Sequence, residues 1–119
     1  MNPLKMLHSF KYAFRGIYDL VRNENNAHFH FLATILAVIA GFYLKLNYIE
    51  WSVIIILTGL VWSAEAFNSA IEKLCDFVSP EKREIIRKVK DMSAAGVLFL
   101  AIAAAIIALI IFIPKILNK

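Results

Sequence analysis

A chain of 119 residues that is 61% hydrophobic and only 18% charged, with a formal net charge of +4, is too apolar for an ordinary soluble domain. Soluble domains run at about 45–50% apolar and about 25% charged, and a chain this short has too much surface to hide the excess inside. The same figures exclude disorder, and Cys75, the single cysteine, excludes a disulfide-stapled scaffold.

What remains is an all-α integral membrane protein of one domain, residues 1–119, with no nucleic-acid partner expected. Residues 1–26 come first. Leu4, Leu7, Phe10, Phe14, Ile17 and Val21 recur at three- or four-residue steps, the period of an amphipathic helix. Lys5, Lys11, Arg15 and Arg22 occupy its other face, which suits a helix lying in the interface beside anionic lipid; a solvated charged face accounts for most of the four. These charges and Asp19 break any continuous apolar run, so a cleaved signal peptide is not expected.

Three apolar stretches follow. The first span is expected over residues 29–46, with Lys45 snorkelling at its end. The second covers 51–71 and contains one ionisable residue, Glu65; the third covers 92–113 and contains none. Between them, residues 73–91 read as a linker carrying six basic and four acidic residues. Leu74, Phe77, Val78, Ile85, Ile86 and Val89 give it an apolar side that should lie against the membrane. Within it, Ser79-Pro80-Glu81 reads as a helix restart, with serine capping, proline in the first turn and the acid complementing the helix dipole.

Charge sets an expected orientation. The arm carries four Lys/Arg and the 73–91 linker six, against one in the 45–50 turn and two, Lys115 and Lys119, in the tail. The positive-inside rule therefore puts arm and linker in the cytoplasm, where Cys75 would be a free thiol.

The candidate chemistry lies on the second span. Glu65, Asn68, Glu72 and Asp76 are spaced i, i+3, i+7 and i+11, which places them in one polar stripe descending toward the cytoplasmic end, with Ser69 beside it. Glu72 and Asp76 could be solvated interfacial charges, and Asn68 could tie helix to helix. Glu65 is different: a charge inside a membrane costs from about 2.5 kcal/mol upward, so it should face protein or a wet cavity and is a functional candidate. Three spans cannot enclose such a group from lipid, and an oligomer is the natural remedy. Glu24, in Asn23-Glu24-Asn25-Asn26, falls at the same cytoplasmic level as Glu72, Asp76 and the Lys90-Asp91 pair. Carboxylates with asparagine and lysine at one depth suit a hard cation and a phosphate.

No phosphate-binding GxxxxGK[ST] loop, GxGxxG turn or zinc spacing is present. His28 and His30 point to different helix faces, so interfacial hydrogen bonding is the expected role for each. Trp51, Trp62 and Tyr48 read as belt or packing aromatics. Gly59, the small residues at 93–96 and the alanine-rich stretch 101–108 read as surfaces for close helix approach.

Glu65-Ala66-Phe67-Asn68-Ser69-Ala70-Ile71-Glu72, followed by Lys90-Asp91-Met92-Ser93-Ala94-Ala95, resembles the prokaryotic diacylglycerol kinase family. The pattern E-x-x-N-[ST]-A-I-E is its core, and Val89 stands where the family has alanine before the Lys-Asp pair. The stretches Ser9 to Gly16 and Asn23 to His30 also look like the family's approach to its first span. The resemblance implies a homotrimeric bundle of subunits with three transmembrane helices and an N-terminal surface helix, sharing active sites between neighbours. It further implies a bacterial inner-membrane enzyme, with N-terminus and active site cytoplasmic, that uses MgATP to phosphorylate a lipid alcohol.

By the same resemblance Glu65 is the general base and Glu24 and Glu72 hold Mg²⁺. Asn68, Asp76, Lys90 and Asp91 surround the nucleotide phosphates and the acceptor hydroxyl. Lys5 stands where the family often has an arginine near the nucleotide and lacks its bidentate fork. The acceptor is diacylglycerol or undecaprenol; the 109–115 tail and the Ile49-Glu50-Trp51 turn look more like the undecaprenol branch. A small proton-coupled transporter or channel subunit is the alternative for a lone membrane carboxylate. A non-catalytic scaffold explains neither Glu65 nor Lys90-Asp91.

Overall fold

The computed structural model describes residues 2–81 and 83–118. Met1, Lys82 and Lys119, the last two of which entered the charge count, lie outside the described residues. The described residues form four helices: α1 (Pro3–Asn23), α2 (Asn25–Tyr43), α3 (Tyr48–Val78) and α4 (Glu84–Leu117). Of these, α2, α3 and α4 are long and apolar enough to cross a membrane.

The first helix begins where Asn2 caps it, the side-chain oxygen accepting from the backbone N–H groups of Leu4 and Lys5, with Pro3 in the first turn. That placement costs proline nothing, because its missing N–H would have had no helical partner. Leu4, Leu7, Phe10, Phe14 and Ile17 all stay exposed, and Leu20 alone in α1 is buried. The arm therefore meets the rest of the protein through its C-terminal turns and leaves its apolar face uncovered, as a helix lying on a bilayer would. Glu24 is the whole joint. Its extended backbone ends α1 and starts α2.

The α2–α3 turn differs from a span running to residue 46 with Lys45 at its end. The helix stops at Tyr43, and Lys45 adopts a positive φ of 58°. The Leu46 N–H bonds back to the Gly41 carbonyl and the Lys45 N–H to that of Phe42, the pairing that closes a helix when the residue after the cap is left-handed. Leu46 and Trp51 then fold over Gly41, where a Cβ would stand 2.6 Å from the Trp51 ring and 3.1 Å from Leu46. Asn47 and Glu50 form a reciprocal capping box that restarts the chain as α3.

At the other end the stretch 73–91 is helical except near its middle, since α3 runs to Val78 and α4 begins at Glu84. The helix restart expected at Ser79-Pro80-Glu81 is instead a helix stop. Ser79 caps the C-terminus of α3, and its hydroxyl donates to the Glu81 carbonyl. Proline disfavours helical geometry in the residue before it and offers no N–H to continue the ladder, and here that effect outweighs its compatibility with a first turn. Arg83 precedes α4 without a side-chain cap.

The 31 residues of α3 measure roughly 46 Å at about 1.5 Å per residue, well beyond a hydrocarbon core of about 30 Å. Its last turns, with Glu72, Lys73 and Asp76, therefore have room to project beyond the core. The largest helix contact is between α3 and α4, and Lys115 of α4 pairs with Glu50 at 3.0 Å across the end opposite the Glu72–Asp76 segment. Yet no described residue of α4 is buried. One chain thus leaves this 34-residue helix only half-covered.

Candidate active site

The apolar flanks of α3 carry its polar stripe into the interior. Glu65 is 1% exposed, Asn68 3% and Ser69 6%. Burying a carboxylate costs several kcal/mol unless partners compensate, and Glu65 has two. The Ser69 hydroxyl, one turn on, donates to Oε1 at 3.4 Å, while Nε2 of His30 on α2 lies 3.4 Å from Oε2. Neither Glu65 Oε2 nor Asn68 Oδ1 has a well-aligned hydrogen bond among the described residues. The Asn68 amide donates instead to Glu72 Oε1 at 3.4 Å.

One or two turns further along α3, the stripe meets the other helices. Glu24, delivered by the α1–α2 joint, pairs with Lys73 at 2.5 Å, and Asp76 pairs with Lys90 of α4 at the same distance. Glu72, one turn before Asp76, lies near enough to act electrostatically on Lys73 and Lys90. Asp91 turns back along its own helix to Arg87 at 2.7 Å, and Arg87 also holds Glu84. The fold therefore gathers Glu72, Asp76 and Lys90 toward one end of α3, brings Glu24 in beside Lys73, and leaves Glu65 and Asn68 deeper along the same stripe. Lys5 is not gathered. It sits in the first turn of α1, 15 residues from Leu20, or about 22 Å along the helix.

Three contributors were not assigned to the site from sequence. His30 read as an interfacial hydrogen-bonding residue, yet it faces the buried carboxylate. Lys73 read only as linker charge, yet it neutralises Glu24. The third is Thr34, whose hydroxyl accepts from Trp62 Nε1 at 3.0 Å and donates to the His30 carbonyl at 2.7 Å. Helix period on α3 hinted at Lys73, which adjoins Glu72. No local signal links His30 to Glu65, because that contact is made by packing.

An apolar cleft of about 340 Å³ opens between α2, α3 and α4 beside His30, lined also by Thr34, Trp62, Ala37, Thr58 and Ala104. Its walls can take hydrocarbon, and His30, one of its lining residues, faces the acid. Among the described residues no three His, Cys, Asp or Glu side chains converge as a metal cage. Carboxylates in ones and twos, with the unpartnered Asn68 oxygen close by, instead fit a cation such as Mg²⁺. That ion keeps most of its shell as water and phosphate oxygen and takes only one or two protein ligands.

Comparison with known proteins bears on this arrangement. Residues 11–112 match the family described as prokaryotic diacylglycerol kinase. Undecaprenol kinase of Bacillus subtilis (strain 168) is 38% identical over 107 residues, covering 90% of this chain and 87% of the relative. Diacylglycerol kinase of Escherichia coli (strain K12) is 33% identical over 95 residues, 80% of this chain and 78% of the relative. That of Synechocystis sp. is 30% identical over 114 residues, 95% of this chain and 65% of a longer relative. A buried membrane carboxylate, a cluster of acids and lysines at one end of the bundle and a match across most of the length agree: this chain belongs to the prokaryotic diacylglycerol kinase family, lipid kinases that transfer phosphate to an alcohol.

Proposed function

We propose that the protein transfers the γ-phosphate of MgATP to the hydroxyl of a membrane lipid, with undecaprenol as the acceptor and diacylglycerol as the competing candidate. The observation that carries the reading is the position of Glu65: a buried carboxylate whose Oε2 has no aligned hydrogen bond, separated from an apolar cleft by His30 and followed along α3 by a cluster of paired charges. A lipid hydroxyl reaching Glu65 from the membrane would meet a nucleotide phosphate approaching from the Glu72–Lys90 side. The lean to undecaprenol rests on the 38% identity to a kinase of that name and on the tail and turn noted above.

Phosphoryl transfer asks for positioning and charge neutralisation more than for covalent chemistry. Glu65 takes the acceptor's proton as the oxygen–phosphorus bond forms and the bond to the β-phosphate oxygen breaks, leaving ADP. Lys90, released from Asp76, supplies a point charge to the phosphates, and Asn68 orients the acceptor hydroxyl. Asp76 and Asp91 fix the basic side chains around the nucleotide. Glu24 and Glu72 would hold Mg²⁺, which neutralises phosphate charge when bound. Lys5 remains a nucleotide contact only if the arm bends over the site or reaches a neighbouring subunit.

A homotrimer with active sites shared between subunits completes this reading. The absence of any buried residue along α4 supports it, since a neighbour would cover that face. The excess of Lys/Arg in residues 1–26 and 73–91 supports a cytoplasmic active site in the bacterial inner membrane. The test is to incubate the purified protein in lipid bilayers with labelled ATP, Mg²⁺ and either lipid. Label in undecaprenyl phosphate above that in phosphatidic acid is expected. Preference for diacylglycerol would reverse the assignment of acceptor, and label in neither would overturn the reading.

A further inference from the structure

The His30 side chain is nearly buried, at 12% exposure, and its Nε2 is the ring atom that faces the buried Glu65 Oε2. No aligned donor serves that oxygen, and leaving a buried carboxylate oxygen unserved is costly. The imidazole is itself held from other directions. The Phe29 ring meets it edge-on at 6.0 Å and the Trp62 ring at 6.3 Å. Trp62 in turn is pinned through its indole N–H to Thr34, and Thr34 to the backbone carbonyl of His30. Phe29 and Trp62 thus flank the ring that faces the carboxylate. His30 also lines the apolar cleft, so it stands between the proposed path of the lipid chain and Glu65.

We propose that His30 is a positioning residue for the transfer reaction: with hydrogen on Nε2 it holds Glu65 Oε2, fixing the carboxylate so that a remaining lone pair faces the acceptor hydroxyl. A carboxylate offers about four lone-pair sites. His30 and Ser69 occupy one on each oxygen, and the proton leaving the lipid hydroxyl goes to one of the others. His30 touches neither lipid oxygen nor phosphate and acts through Glu65. This proposal rests on Glu65 being the base. It adds the residue that aims it.

The experiment compares His30→Ala, His30→Gln, Glu65→Gln and the His30→Ala/Glu65→Gln pair as full-length protein in bilayers, measuring kcat, KM for MgATP and thermal stability. His30→Ala is expected to lower kcat by about 10- to 100-fold, the scale of a misplaced catalytic group, with KM for MgATP nearly unchanged. His30→Gln restores most of the rate, because its amide can donate to Oε2. The alanine change costs nothing further once Glu65 is glutamine, because residues acting as a unit are not additive. Full activity of His30→Ala beside an inactive Glu65→Gln overturns the role of His30 and leaves the base standing; full activity of Glu65→Gln overturns both. Infrared difference spectra give a readout without turnover. The carboxylate band that disappears in Glu65→Gln should shift in His30→Gln and His30→Ala, and an unshifted band overturns the proposal even if a variant is inactive for lack of stability.

Discussion

Lys73 and Glu24 are 49 positions apart in the chain, and their side chains meet at 2.5 Å, tying the α1–α2 joint to α3. Lys73 also feels Glu72 and Asp19, so one ammonium group stands among the carboxylates proposed to take the metal. Its side chain is 68% exposed, and exposed pairs contribute only about 0–1 kcal/mol. Lys73→Met should therefore leave thermal stability almost unchanged. It should also raise affinity for a divalent cation by roughly two- to fivefold, because a competing positive charge near the site is removed. Manganese binding followed by electron paramagnetic resonance checks this, and weaker binding would mean that Lys73 helps to assemble the site.

Glu65→Gln retains the volume and the hydrogen-bonding shape of the side chain while removing its basicity. Lipid phosphorylation should fall by about 10²- to 10⁴-fold, the range general-base catalysis supplies, with the folded oligomer intact. Full phosphorylation by a correctly assembled variant would remove Glu65 from the chemistry.

Glu72→Ala tests the metal assignment separately. The Mg²⁺ concentration for half-maximal rate should rise about tenfold or more, since Mg²⁺ has few protein ligands to lose, while KM for the lipid changes little. An unchanged magnesium titration would argue that Glu72 serves only to hold Asn68.

At the opposite end, two substitutions in one turn should act in opposite directions. Gly41→Ala puts a methyl group 2.6 Å from the Trp51 ring and should cost about 1–3 kcal/mol, as overpacking does. Lys45→Gly relieves the left-handed backbone at φ 58° and should stabilise by up to about 1 kcal/mol. Thermal unfolding in a single detergent measures both, and activity per folded molecule should be unaltered because the turn lies at the other end of α3 from Glu72 and Asp76.

Much of the architecture was legible in the residues because a membrane imposes long apolar runs. Three such runs, an amphipathic arm at helical period and the spacing of Glu65, Asn68, Glu72 and Asp76 required no knowledge of packing. The ends of the helices were less legible. Pro80 is compatible with both a stop and a start, and only the continuation of α3 to Val78 decided between them. Lys45 carries no glycine signal, and its left-handed turn follows from Leu46 and Trp51 closing over Gly41.

The pattern along one helix thus determined which groups share a face and that an acid must lie inside the membrane. Partners across helices were decided by tertiary structure alone: His30 for Glu65, Lys73 for Glu24 and Lys90 for Asp76. The physical reason is that periodicity encodes direction around an axis, whereas these contacts depend on how α2, α3, α4 and the α1–α2 joint are set against one another.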